Sequence, residues 1–457
     1  MNEKKLFGTD GVRGHANRHP TTAEIALFLG KAVAKVLSSH GKKQRVVLGK
    51  DTRLSGYMFE NALIAGLTSM GVDTLMVGPL PTPGVAYITR AYRADAGIMI
   101  SASHNAFCDN GIKIFGSEGF KIPDAVEREI EELVFARSFE APEDSGLGRN
   151  KRIDDADGRY IEFVKATFLK GRTLEGMRIF LDCAHGAAHR VAPSVFWELD
   201  GQVEVVGNHP NGTNINAGFG SLHPQVIQKG VLEYNSAVGI AFDGDADRVV
   251  MADENGILID GDVIVAICAQ AMKERGELKN NRVVATVMTN LGVVKFLESL
   301  GIEVLLSQVG DRHVLEMMLV NDAFLGGEQS GHMLFLDHNT TGDGIVSALQ
   351  VLRIMIEKKT SLAELAKPIK KYPQKLINIK VRSKPPLEQM ERVQKIMGDV
   401  ERTLRDEGRI LVRYSGTEQL CRVLVEGKRQ DLVDSCAEQI AQVIESEIGL
   451  CAASLVI

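Results

Sequence analysis

The stretch AVGIAFDGDADR at residues 237–248 decides the fold, because a short apolar run ends abruptly in a loop that carries three carboxylates. Small and apolar residues fill positions 237–242, which is typical of a buried β-strand. Asp243, Asp245 and Asp247 then follow at alternating positions. Open α/β sheets bind ligands beyond the carboxyl ends of their strands, so the stretch predicts a buried strand that presents a functional loop.

The three carboxylates of this loop predict a cation site. Unpaired, they would repel one another and raise one another's pKa, and a hard cation resolves that repulsion. Oxygen ligands favour magnesium, calcium or manganese, while a solvated acidic turn is the alternative. An EF-hand is rejected, because Arg248 stands where its loop needs Gly and the flanks are strand-like. A phosphatase of the haloacid-dehalogenase type with Asp243 as nucleophile stays open, although Asp247 departs from its motif.

Strand and helix patterns alternate on the N-terminal side of this loop. Predicted strands are residues 45–48, 74–77, 96–100, 178–181 and 203–206, and predicted helices are residues 25–37 and 55–70. Thr21 to Glu24 has the spacing of a capping box with Thr21 at the N-cap. We expect Pro79, Pro81 and Pro83 to break the chain. The alternation favours largely parallel sheets with helices on both faces.

The alternation returns after the loop and then changes character. Strands are predicted near residues 283–287, 303–306 and 323–325, followed by a helix at 387–404 and a strand pair at 410–413 and 421–425. The predicted fold is three similar α/β domains with mixed, largely parallel sheets plus a smaller C-terminal α+β domain around a central cleft. The predicted domains are residues 1–150, 151–257, 258–370 and 371–457. Candidate linkers are residues 143–157 and 367–374.

Two further polar loops follow predicted strands. Residues 101–105, SASHN, could carry a nucleophile, although a polar turn is as good an interpretation. We do not expect His104 to be the base of Ser103, because neighbouring side chains usually point apart. Residues 413–418, RYSGTE, combine a guanidinium, hydroxyls and Gly in a way that can cradle a phosphate, with an ordinary hairpin turn as the alternative.

Composition excludes several classes of protein. The 457 residues carry a net charge of −6, which argues against a broadly basic nucleic-acid binder. Six cysteines lie far apart without a CxxC pair, which suits a reducing compartment. Neither a signal peptide nor an apolar run of membrane-spanning length is visible. We therefore expect a cytoplasmic protein with no nucleic-acid or membrane partner.

Taken together, the loops resemble those of the α-D-phosphohexomutase superfamily. The similar segments occur in family order and span nearly the whole chain: FGTDGVRG at 7–14, SASHN at 101–105, DGDADR at 243–248, GEQSGH at 327–332, TTGDG at 340–344 and RYSGTE at 413–418. Three residues depart from the family pattern. Ala106 and Gln419 stand where Pro is usual, so those loops lose a fixed φ. Ala246 stands where Gly is usual, so its backbone conformation must tolerate a Cβ.

The resemblance implies an isomerase that interconverts glucosamine 6-phosphate and glucosamine 1-phosphate, feeding UDP-N-acetylglucosamine and cell-wall synthesis. The reaction would run through a phosphoserine enzyme and a bisphosphorylated sugar intermediate, with a sugar bisphosphate as phosphoryl primer and a sugar phosphate as the small-molecule partner. One Mg²⁺ per chain would be held by Ser103, Asp243, Asp245 and Asp247. The alternatives are a phosphomannomutase or phosphoglucomutase activity and a non-catalytic sugar-phosphate-binding or calcium-binding protein. A homodimer is the assembly to be tested.

The resemblance also assigns roles to individual residues. Catalytic roles are implied for Ser103, His104, Lys113, Arg13, Arg248 and His332. Substrate contacts are implied for Glu328, Ser330, Arg413, Ser415, Gly416 and Thr417. Lys113 is the candidate general base or acid, and we expect desolvation beside the metal and arginines to lower its pKa towards a useful range.

Overall fold

The computed structural model describes residues 6–8, 10–36, 43–140, 146–415 and 419–450. The chain forms two compact units, one of Met1–Met288 with Gly301–Pro368 and the other of Thr289–Leu300 with Ile369–Ile457. The described part of the first unit contains three sheets, and that of the second contains one. The predicted fold class, three mixed α/β parts followed by a smaller α+β part, is confirmed.

The first sheet has seven strands in the order β1-β2-β6-β5-β3-β4-β7. Its elements are β1 (Phe7–Gly8), β2 (Gly11–His15), α1 (Ala23–Val36), β3 (Arg45–Lys50), α2 (Gly56–Ser69), β4 (Asp73–Pro79), α3 (Thr82–Ala91), β5 (Ala96–Ile100), β6 (Asp109–Gly116), α4 (Asp124–Ala136) and β7 (Asn150–Arg152). The strands β5, β3, β4 and β7 run parallel, and β1, β2 and β6 add antiparallel pairs at one side.

Two further sheets complete the first unit. The second has the order β12-β11-β10-β8-β9 and the third β14-β13-β15-β16. Their strands are β8 (Arg178–Asp182), β9 (Gln202–Val206), β10 (Val238–Phe242), β11 (Val249–Ala252), β12 (Leu258–Ile259), β13 (Arg282–Thr286), β14 (Glu303–Ser307), β15 (Leu325–Gly327) and β16 (Met333–Phe335). The helices that follow α4 are α5 (Ala156–Ala166), α6 (Val191–Glu198), α7 (Gln225–Glu233), α8 (Gly261–Glu274), α9 (Leu291–Ser299), α10 (Asp311–Val320), α11 (Gly344–Lys358) and α12 (Leu362–Ala366). Of these helices, α9 belongs to the second unit.

The second unit is built on an antiparallel sheet with the order β17-β19-β18. Its elements after α9 are β17 (Gln374–Lys380), α13 (Glu391–Leu404), β18 (Gly408–Tyr414), β19 (Leu420–Gly427) and α14 (Gln430–Ile448). The predicted strand pair at 410–413 and 421–425 is therefore confirmed. Val393 of α13, Val423 of β19 and Ile440 of α14 belong to one buried core. None of the helices in the described ranges is long and apolar enough to cross a membrane.

Three expectations about local structure are wrong. The N-cap of α1 is Thr22, whose hydroxyl accepts from the backbone N–H of Ile25, whereas the hydroxyl of Thr21 donates to two carbonyls of the preceding turn. The prolines at 79–83 do not simply break the chain, because Pro83 stands in the first turn of α3, where the missing N–H costs nothing. The candidate linker at 143–157 contains β7, which extends the first sheet beside β4.

Close packing of α1 against α2 depends on two glycines. A Cβ at Gly66 would lie 2.2 Å from the carbonyl oxygen of Leu27, and a Cβ at Gly30 would lie 2.7 Å from that of Leu63. Both helices bury apolar side chains such as Leu29 and Leu67 in the core of the first sheet. The missing side chains let the two backbones approach, which is why these helices can share one face of the sheet.

We expect Gly66→Ala to destabilise the protein by about 2 kcal/mol or more, because the new methyl group meets backbone that cannot move aside. Gly158→Ala is the matched control within α5, since a Cβ there meets no described atom within 4 Å. Helix propensity should stabilise that variant by about 0.5–1 kcal/mol. Urea denaturation measures both, and equal stabilities of the two variants would contradict close packing at Gly66.

Candidate functional site

The serine loop begins where β5 ends and places Ser103 in the left-handed region, at φ +52°. The Ser101 hydroxyl accepts from the backbone N–H of Ser103 at 2.9 Å and stabilises that turn. The Ser103 hydroxyl is fully buried and lies 2.5 Å from Oδ2 of Asp243. The structure therefore brings together the hydroxyl and the carboxylate that the sequence analysis had placed in separate loops.

The expectation that His104 points away from Ser103 is wrong. Its Nδ1 lies 3.3 Å from the Ser103 hydroxyl, at a turn where Ser103 has a left-handed backbone. Burial, with Arg248 and Arg13 nearby, lowers the pKa of His104 to about 4. The imidazole is therefore neutral near pH 7 and can accept a hydrogen bond from the hydroxyl.

The three carboxylates of the loop after β10 converge. Single carboxylate oxygens of Asp243, Asp245 and Asp247 all lie within 4.8 Å of one another, and the three residues are buried. Oδ1 of Asp245 and of Asp247 are buried without a hydrogen-bond partner among the described residues. Oxygens left unpaired in a dry pocket are costly, and a hard cation satisfies them. The donor set therefore fits a divalent cation, and the solvated-turn interpretation is wrong because the loop is buried.

Electrostatics within this loop follow from burial. Burial and the charges of Asp247 and Asp245 hold the pKa of Asp243 well above its usual value. Burial also raises the pKa of Asp247, but Lys113 and His332 outweigh it and hold that pKa well below its usual value. A cation at the loop would favour the charged form of all three carboxyl groups.

Two small residues let the loop approach the serine. A Cβ at Gly244 would lie 2.5 Å from the carbonyl oxygen of Ser103, so only glycine allows this contact. Ala246 is fully buried and has φ +55°. It thus keeps the left-handed conformation that glycine favours, at a cost of about 1 kcal/mol for its Cβ.

Lys113, on β6, is the centre of the buried charge cluster. Its Nζ lies 2.9 Å from Asp245, 3.0 Å from Asp247 and 3.3 Å from Asp10. Burial lowers the pKa of Lys113, but Asp10, Asp245 and Asp247 outweigh burial and hold it well above its usual value. The expected fall of this pKa concerns the metal-bound site and stays a prediction. Without a cation on the carboxylates, Lys113 is firmly protonated and acts as their counter-ion.

Asp10 and Lys121 are site residues that the sequence analysis missed. Asp10 contacts Arg13 and Lys121 as well as Lys113, and Lys121 also contacts Asp311 at the start of α10. Asp10 lies inside the segment FGTDGVRG, so its motif could have pointed to it. Lys121 had no such signal, because only tertiary contact brings it within reach of Asp10.

His332 and Arg248 lie on facing backbone segments that form an isolated antiparallel bridge. Nδ1 of His332 lies 3.7 Å from Asp247, and Nε2 lies 3.8 Å from Asp311. Burial lowers the pKa of His332, but Asp247 and the neighbouring acids outweigh it and raise the pKa. Burial likewise opposes the charge of Arg248, but Asp247, Asp243 and Glu328 raise its pKa.

Glu328 and Ser330 follow β15 in the first unit. Oε1 of Glu328 accepts from the backbone N–H of Gly310 at 2.9 Å, and the side chain is buried. Ser330 is exposed. The two residues therefore offer a fixed acceptor and an accessible hydroxyl.

The predicted phosphate cradle lies in the second unit. Arg413 pairs with Arg422 across β18 and β19, and burial together with Arg422 lowers the pKa of Arg413. An anion beside these two guanidinium groups would relieve their repulsion. Lys384 donates to the carbonyl oxygen of Ser415 at 2.6 Å. Gly416 and Thr417 lie outside the described residues.

Four segments of the chain match family models. They are described as "Phosphoglucomutase/phosphomannomutase, alpha/beta/alpha domain I" at residues 4–141, domain II at 158–256, domain III at 260–372, and the C-terminal domain at 376–443. The chain is 64% identical to a phosphoglucosamine mutase of Chlamydia trachomatis over 448 residues, 98% of each chain. It is 63% identical to that of Chlamydia caviae over 449 residues, again 98% of each.

Solved structures share the fold at lower identity. A phosphoglucomutase/phosphomannomutase family protein from Burkholderia thailandensis is 21% identical with a TM-score of 0.79, covering 98% of this chain and 100% of that one. An N-acetylphosphoglucosamine mutase from Aspergillus fumigatus, in complex with GlcNAc-6P and magnesium, is 16% identical with a TM-score of 0.68, covering 97% and 96%.

Thr82 tests the energetics of the carboxylate cluster. Its hydroxyl donates to Oδ2 of Asp245 at 2.6 Å, whereas the hydroxyl of Thr89, on the same helix and equally buried, donates to the neutral carbonyl of Val85. We expect Thr82→Val to cost about 1.5–3 kcal/mol and Thr89→Val at most about 1 kcal/mol, because only the first leaves a buried charge under-solvated. Urea denaturation in EDTA measures both. Equal losses would contradict a charged Asp245 at this position.

Proposed function

Because this chain belongs to the phosphoglucomutase/phosphomannomutase family, we propose that it interconverts glucosamine 6-phosphate and glucosamine 1-phosphate. The enzyme is an isomerase of the phosphohexomutase class, and its product feeds UDP-N-acetylglucosamine and cell-wall synthesis. The 62–64% identity of the chlamydial phosphoglucosamine mutases over nearly the full chain supports this amino-sugar substrate. The observation that carries the proposal is the buried Ser103 hydroxyl, 2.5 Å from Asp243 in the carboxylate cluster.

In the proposed reaction, a phosphoryl group on Ser103 passes to the free hydroxyl of the sugar phosphate. The bond from phosphorus to the Ser103 oxygen breaks, the bond to the sugar oxygen forms, and the hydroxyl proton moves to a base. The bisphosphate then turns around and returns its other phosphate to Ser103. A sugar bisphosphate serves as the first phosphoryl donor. Such a transfer needs alignment and neutralised oxygens more than covalent chemistry.

The proposed catalytic groups surround that oxygen. Arg13 and Arg248 would neutralise charge near the transferring phosphoryl group. Lys113 and His332 are the proposed acid/base groups, and neutral His104 would accept a hydrogen bond from the Ser103 hydroxyl between transfers. Lys113 can give up its proton only when the negative charge around it is reduced, because three carboxylates hold its pKa well above the usual value.

One Mg²⁺ per chain is the proposed cofactor, held by Asp243, Asp245, Asp247 and an oxygen on Ser103. When bound, the ion would supply positive charge beside the phosphoryl oxygens and would partly neutralise the carboxylates around Lys113. This donor set is supported by the buried Oδ1 atoms of Asp245 and Asp247, which have no hydrogen-bond partner among the described residues. Magnesium accompanies the sugar phosphate in the Aspergillus fumigatus neighbour.

Substrate binding is proposed for two groups of residues. Glu328 and Ser330 would bind sugar hydroxyls, and a carboxylate with a hydroxyl offers similar contacts to a sugar in either orientation. The phosphate that does not react would be held by Arg413, Ser415, Gly416 and Thr417. We also propose a cytoplasmic location, a homodimer as the assembly to be tested, and domain boundaries at residues 150, 257 and 370.

A substrate panel tests the proposed specificity. With Mg²⁺ and a bisphosphate primer, we expect glucosamine 6-phosphate to be converted faster than the 6-phosphates of N-acetylglucosamine, glucose and mannose. A preference for glucose or mannose phosphate would identify a sister mutase. Phosphate release without isomerisation would identify a phosphatase, and binding without turnover would identify a binding protein.

Ser103→Ala is expected to abolish most mutase activity, because no phosphoryl acceptor remains. Mass spectrometry of a digest should find phosphate on the peptide that contains Ser103 in the wild type. Ser117→Ala, at an exposed serine, is the matched control and should keep both activity and phosphopeptide. An active Ser103→Ala variant would contradict the phosphoserine mechanism.

Asp245→Asn is expected to weaken binding of Mn²⁺, a spectroscopic substitute for Mg²⁺, by about tenfold or more, because one charged ligand is lost. Electron paramagnetic resonance measures free Mn²⁺ directly and needs no turnover. Asp154→Asn, at a side chain that is 86% exposed, is the control and should bind as the wild type does. Equal affinities would remove Asp245 from the metal site.

A further inference from the structure

Arg53 holds the backbone of the serine loop from the side of the first sheet. Its side chain is fully buried, and Nη2 donates to the carbonyl oxygens of Ser103 at 3.1 Å and Asn105 at 2.6 Å. The guanidinium is itself held by Asp51, which contacts Nη1 through Oδ2 and accepts from the backbone N–H of Arg53 through Oδ1. One planar cation thus binds two carbonyls of the same turn.

Asn216 binds the same two carbonyls from the second sheet. Its Nδ2 donates to the oxygens of Ser103 and Asn105, each at 2.9 Å. Asn216 lies between β9 and α7, and its backbone N–H donates to the carbonyl oxygen of Ala184 at 2.9 Å. An amide nitrogen has two hydrogens, so both contacts can form at once. The two carbonyls therefore receive four side-chain donations in total, two from each side.

This arrangement determines where the Ser103 hydroxyl lies. Ser103 adopts φ +52°, a left-handed conformation that is strained for a non-glycine residue. The hydrogen bonds to the carbonyls of Ser103 and Asn105 hold the loop in that turn. In this turn the Ser103 hydroxyl points to Asp243. Within the serine loop, the described hydrogen bonds of Arg53 and Asn216 all go to backbone oxygens, so their effect on the hydroxyl is one of orientation.

We propose that Arg53 and Asn216 are positioning residues that hold Ser103 in line for phosphoryl transfer, a role that rests on the proposed function. Neither residue touches the hydroxyl that reacts. Their loss should slow the transfer step while leaving sugar binding intact, because the residues proposed to bind the sugar lie elsewhere. A misplacement of about 1 Å in a reacting group can cost about 10²-fold in rate.

The test compares Arg53→Lys and Asn216→Gly with the wild type. Lysine keeps the charge, but its single nitrogen cannot reproduce the arrangement in which Nη1 contacts Asp51 while Nη2 donates to both carbonyls. Glycine removes the amide at Asn216 and tolerates φ +59°, so the backbone there is not strained. Asn235→Gly is the matched control, because Asn235 also has a left-handed backbone, at φ +49°. It is exposed and follows the C-terminal end of α7.

We expect kcat to fall about tenfold or more in Asn216→Gly and about 10²-fold in Arg53→Lys, with KM within about threefold of the wild type. The control should match the wild type. If Arg53→Lys does not fold, Asn216→Gly decides. An unchanged kcat in folded variants overturns the positioning role, and so does a change in KM with kcat intact. A wild type without mutase activity would contradict the proposed function instead.

Discussion

Burial of three carboxylates in one loop is the constraint on which the rest of this structure depends. One carboxylate oxygen of each of Asp243, Asp245 and Asp247 lies within 4.8 Å of the others, and all three residues are buried. Such a cluster is stable only beside compensating positive charge. Lys113 supplies one counter-ion from β6, and a divalent cation fits the carboxylate oxygens that have no hydrogen-bond partner among the described residues. The same electrostatic demand that stabilises the loop thus creates a place for a cation.

The serine loop and the carboxylate loop come from different sheets, and the contacts between them are made by backbone as much as by side chains. Gly244 allows the two loops to touch, and Thr82 donates both its N–H and its hydroxyl to Asp245. Arg53 and Asn216 bind the same carbonyls from opposite sides. The Ser103 hydroxyl is therefore held in a defined orientation, which is the condition for efficient transfer chemistry in the proposed reaction.

Much of the fold was predictable, because buried strands and amphipathic helices leave strong local patterns. The predictions of local structure failed where one segment fits two sequence patterns. The prolines at 79–83 both end a strand and begin α3, and the polar segment at 143–157 hides β7, whose three residues are exposed and pair only along one edge. The N-cap of α1 lies one residue later than predicted, because either of two adjacent threonines can serve as an N-cap. The Thr21 hydroxyl is bound in the turn before α1, which leaves Thr22 to cap the helix.

The sequence by itself determined the chemistry that is available: the three carboxylates, the serine beside a histidine, and the order of the loops along the chain. Tertiary structure alone decided how those groups act on one another. It placed His104 within reach of Ser103 at a left-handed turn, and it surrounded Lys113 with three carboxylates that hold its pKa well above the usual value. The physical reason is that a pKa and an orientation depend on every charge and donor within a few ångströms. Most of those neighbours, Asp10 among them, are distant in sequence.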